Sequence, residues 1–107
     1  MVDATYFRDA LPRDIQATGG SPVVEVVLLS GHVHRVRAVV DAGDAWVTLE
    51  VYQVKGDLSH ERPRYGVADT AHELGRAVVS YQAIASIVLD PAPAQAKARP
   101  GFGFAAG

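Results

Sequence analysis

The chain has no cysteine, a single methionine and a single tryptophan in 107 residues. The lack of thiols excludes a disulfide scaffold, a thiolate zinc site and a cysteine nucleophile together. No apolar run approaches the roughly 18 residues of a membrane span. The opening MVDATYFRDALPRD carries acids and arginines where a signal peptide needs a long apolar stretch. A cytoplasmic protein with no membrane association is therefore expected.

Catalytic groupings are missing too. Ser80 and Ser86 lie in strand-like patterns without a nearby candidate base, and no glycine-rich phosphate loop occurs. The twelve carboxylates show no close pairing in an apolar surround that would raise a pKa. Neither an enzyme nor a cofactor is expected.

The residues that are present are those of an ordinary folded domain, 49% hydrophobic and 21% charged. At this length one core is buried and little more. The formal net charge of −2 argues against coating nucleic acid through bulk electrostatics, so any such contact has to be focal. Arg35 with Arg37, and Arg62 with Arg64, are the local basic pairs. Arg35 and Arg37 share a strand face and are the candidate phosphate contacts.

Two apolar blocks dominate the chain: VVEVVLLSG at 23–31 and VVSYQAIASIVLDP at 78–91. The first reads as a strand closed by Gly31, and the second as two strands bent around 82–85. Between them, residues 33–40 alternate as a second strand. Val33, Arg35, Arg37 and Val39 fall on one face, with His34, Val36, Ala38 and Val40 on the other. Asp-Ala-Gly-Asp at 41–44 is a tight turn in which Gly43 is free to adopt positive φ. A third strand follows at about 45–54, with Val47, Leu49 and Val51 toward the core.

Ahead of these strands, residues 3–11 read as a short amphipathic helix. Asp3 is its N-cap, Phe7, Ala10 and Leu11 form one face, and Pro12 sets its end. Residues 53–76 are an insertion in which Thr70-Ala-His-Glu73 has capping-box spacing for a short helix. The alternative for this stretch is a long hairpin arm extending strands three and four. The expected fold is mainly β: a small, strongly bent antiparallel five-stranded sheet or barrel behind an N-terminal helix, spanning residues 1–91. Residues 92–107 are a Pro/Ala/Gly-rich tail, disordered by composition, with Phe102 and Phe104 as the residues by which it would dock on a neighbouring surface.

In order and spacing this pattern resembles the Sm-like family, including its bacterial Hfq branch of RNA chaperones. YFRDAL at 6–11 stands where that family has its short helix. VVEVVLLSG matches its first strand and closing glycine. AVVDAGDAWVTL at 38–49 resembles its second and third strands, with Asp44 at a characteristic aspartate. VSYQAIASIV at 79–88 resembles its fourth and fifth strands around a 3₁₀ turn. The resemblance implies an Sm-like, SH3-like barrel topology and a homo-oligomeric ring of five to seven subunits, closed by strand four of one copy pairing with strand five of the next. It also implies single-stranded RNA as partner.

There are departures. Ser80-Tyr81-Gln82 stands where the bacterial branch has Tyr-Lys-His, and Val27 replaces an adenine-stacking aromatic. The implied base site therefore consists of Asp44, Trp46, Tyr81 and Gln82: aromatic faces stack bases, while Asp and Gln bond their edges. In the competing reading, Trp46 is a packing residue that caps the barrel end or lies under the insertion. The other class of function is a non-catalytic oligomeric protein-interaction module that has lost RNA binding. His32-x-His34 has metal-ligand spacing, but residues 36–40 supply no glutamate, so the pair is read as solvated hairpin histidines and no metal is expected.

Overall fold

The computed structural model describes residues 2–53, 63–67 and 73–91. The expectations for the tail, for Arg62 and for most of the insertion lie outside them. A π-helical turn, Tyr6–Ala10, runs into helix α1, Leu11–Ala17. Asp3 caps this start, its Oδ1 accepting from the Tyr6 amide at 3.1 Å. Pro12 does not end the helix as expected; it lies inside a continuous helical run, just after the π turn. Its ring would crowd the carbonyl one turn back in a regular helix, and that is where the wider π turn lies.

Five antiparallel strands form one sheet: β1 Val23–Leu28, β2 Val33–Ala42, β3 Trp46–Gln53, β4 Glu73–Ser80 and β5 Ile84–Asp90. Their order is β4-β3-β2-β1-β5, so β4 and β5 are the two edges and the sheet is not closed into a barrel. A 3₁₀ turn, Tyr81–Ala83, separates β4 from β5. Ser80 caps it, its hydroxyl accepting from the Gln82 amide at 3.3 Å.

Phe7, Leu11 and Ile15 bury the apolar helix face against Val24, Val26, Val36, Val47, Leu49, Val51 and Val79 of the sheet. Val47 and Leu49 are fully buried, as the alternation of β3 requires. Tyr52 points to the opposite face and is nonetheless buried, because residues 64–67 cross over it. Its hydroxyl oxygen lies 2.7 and 2.5 Å from the Arg64 and Val67 carbonyls, which share its single proton.

Three local expectations are corrected. First, β2 does not alternate along its whole length. Register shifts between Val36 and Ala38 and between Val39 and Asp41 turn Val39 toward the core and leave Val40 44% exposed. Second, Gly43 is not among the glycines at positive φ. Its requirement is room, since a Cβ there would meet the Trp46 carbonyl at 3.2 Å. Third, Glu73, Leu74 and Gly75 are strand rather than helix. β4 begins at Glu73 opposite Gln53, so cross-strand pairing overrides the capping-box spacing.

Candidate nucleic-acid interface

The turn between β2 and β3 and the 3₁₀ turn between β4 and β5 meet at one end of the sheet. Antiparallel pairing brings them together: Trp46 lies opposite Ser80, and the Tyr81 amide donates to the Ala45 carbonyl at 3.2 Å. Between the two turns lies a cleft of about 370 Å³, lined by Asp3, Asp44, Ala45, Ser80, Tyr81 and Gln82. Three of the residues singled out in the sequence, Asp44, Tyr81 and Gln82, are thus assembled from elements nearly 40 positions apart.

Their roles differ. Asp44 and Gln82 are exposed and offer their polar ends to solvent. Tyr81 is buried, its ring 5.9 Å from that of Phe7 at 31°. Its hydroxyl donates to the Gly43 carbonyl at 2.7 Å. Burial raises its pKa, with a further rise from Asp3, Asp41 and Asp44 set against the lowering effect of Arg8. Tyr81 therefore builds the cleft floor; it does not present a free face for stacking. Trp46 lies beside the cleft without lining it. It is 55% exposed, a large fraction for an indole. Such exposure is incompatible with a core-capping role.

The cleft is acidic. Asp3 and Asp44 line it, Asp41 is near enough to act on Tyr81, and the nearby cation, Arg8, donates to the Ala42 carbonyl. A phosphate is repelled here, whereas base-edge donors meet carboxylate acceptors. Asp3 and Ser80 were not singled out from the sequence as site residues. Asp3 carried only its N-cap signal, and only the folded helix start brings it to the strand turns.

The candidate phosphate contacts lie elsewhere on the sheet and are already engaged. Arg35 Nε pairs with Glu25 at 3.1 Å, its register partner across β1 and β2. Arg37 Nη1 pairs with Glu50 at 2.5 Å, and its Nε donates to the Val67 carbonyl at 3.2 Å. Among the described residues no group of three or more His, Asp or Glu is placed to hold a metal ion. No helix there is long and apolar enough to cross a membrane. No protein-family model, curated protein or solved structure matches the chain.

Proposed function

We propose that this chain is an Sm-like protein that assembles into a homo-oligomeric ring of five to seven subunits and binds single-stranded RNA. The strand order β4-β3-β2-β1-β5, the helix ahead of β1 and the 3₁₀ turn between β4 and β5 support the family reading. The two sheet edges, with exposed Leu74 and Val78 on β4 and Val88 on β5, support closure by strand pairing between copies. Ring symmetry multiplies a weak site by avidity.

The observation that carries the RNA reading is the exposed indole of Trp46 beside a cleft holding Asp44 and Gln82. In this reading Trp46 stacks a base, Asp44 and Gln82 bond its edge, and Tyr81 shapes the floor. Arg35 and Arg37 contribute little to phosphate binding while they are ion-paired. The experiment is the A260/A280 ratio of the purified protein, light scattering for its mass, and titration with uridine- and adenosine-rich oligonucleotides at two salt concentrations. A stable monomer at micromolar concentration contradicts the ring.

The acidic cleft and the paired arginines favour a second reading, a non-catalytic ring that binds protein. That reading predicts no oligonucleotide binding at either salt concentration. Neither reading assigns catalysis to the chain.

A further inference from the structure

The hairpin between β1 and β2 holds the two histidines that the sequence reading left to solvent. Gly31, at φ 92°, turns the chain, and the Leu28 amide donates to the His32 carbonyl at 2.9 Å, fixing the loop on which His32 sits. His32 and His34 fall on the same side of the chain, with ring centroids 4.6 Å apart and planes at 68°. They open on a cleft of about 450 Å³ at the start of β2, together with Arg35, Gln53, Arg76 and Ala77.

The separation of the rings puts both within reach of one shared ion. A metal–nitrogen bond of about 2.1 Å puts an imidazole centroid about 3.3 Å from the ion, so two rings bound at about 90° have centroids about 4.7 Å apart. A tetrahedral angle would spread the same rings to about 5.4 Å. Right-angled imidazole pairs suit tetragonal Cu²⁺, which also stands at the top of the divalent affinity series. Among the described residues no third His, Asp or Glu joins the pair.

We propose that His32 and His34 form a two-imidazole binding site for a divalent transition ion of the copper type. The site lies on the first hairpin, outside the cleft that holds Asp44 and Gln82, and does not depend on RNA binding or ring assembly. Arg76 lines the same cleft, where its charge opposes the ion and attracts a counter-anion.

The test is titration of the full chain with CuCl₂ at pH 7.5, read by electron spin echo modulation, which counts bound imidazoles through their remote nitrogens. The wild type is expected to bind one ion with a two-imidazole signature. His32→Ala and His34→Ala are each expected to lose that signature and to weaken binding at least tenfold. His32 is exposed, so its variant keeps the fold, and far-UV circular dichroism checks this for both. A wild type without the two-imidazole signature overturns the proposal. So does either folded variant that retains it.

Discussion

The hydroxyl of Tyr81 donates to the carbonyl of Gly43 at 2.7 Å, joining the 3₁₀ turn after β4 to the turn between β2 and β3. The bond holds the floor of the candidate cleft and fixes the spacing between its two walls. Because Gly43 also donates its amide to the Trp46 carbonyl at 2.9 Å, one short turn positions both the cleft and the exposed indole beside it.

Tyr81→Phe keeps the ring against Phe7 and removes this one bond. The expected loss is about 1 kcal/mol of stability, the ordinary net worth of a hydrogen bond whose acceptor retains access to water. Chemical denaturation measures it. The account also expects lower affinity for oligonucleotide, since the walls lose their tie, with no change in oligomer mass.

Phe7→Ala removes the aromatic contact between the N-terminal helix and Tyr81. Phe7 is 3% exposed and packs in the core, so truncation is expected to cost about 3–5 kcal/mol. A loss below about 1 kcal/mol in the denaturation midpoint would mean that the helix is not docked as described.

Acid sensitivity follows from His34. Its folded pKa lies below its ordinary 6.5, so the unfolded chain binds the proton more readily than the folded one. Stability is then unaffected by this group above pH 6.5 and falls as pH drops through the window below it. His34→Gln is expected to flatten the slope of melting temperature between pH 7 and pH 5 relative to wild type. The carboxylates contribute equally to both proteins, so the difference between the two slopes isolates the imidazole.

Most strands were legible in the sequence because β-branched runs such as VVEVVL leave little choice of period or length, but the first half of β4, Glu73–Ala77, was not. The burial of Val47, Leu49 and Val51 follows from simple alternation. The length of the N-terminal helix was not legible, because a proline inside a helix normally ends it, and here the preceding π turn carries Pro12 instead. The bulges of β2 carry no composition signal, so the outward turn of Val40 appears only once register is known. Of the residues singled out in the sequence, Asp44 and Gln82 line one cleft. The burial of Tyr81 and the pairing of Arg35 and Arg37 depend on partners distant in sequence: Phe7, Glu25 and Glu50.

Breaking an ion pair tests whether the basic strand face is structural. Glu25→Gln leaves Arg35 without its 3.1 Å carboxylate partner. The account predicts a stability change within about 1 kcal/mol, as for other partly exposed pairs. It also predicts a small gain in oligonucleotide affinity as the guanidinium is freed. An affinity that falls instead would place Glu25 itself at the interface.

Trp46→Ala tests the central claim most directly, because the indole is 55% exposed and contributes little to the core. The measurement is single-stranded oligonucleotide affinity, taken with the melting temperature and oligomer mass of the same variant. The account predicts that melting temperature and mass stay at wild-type values, while binding weakens by about 1–3 kcal/mol per stacked base. Unchanged affinity with a sharply lowered melting temperature would contradict it, showing Trp46 to be a packing residue and removing the base site on which the RNA reading rests.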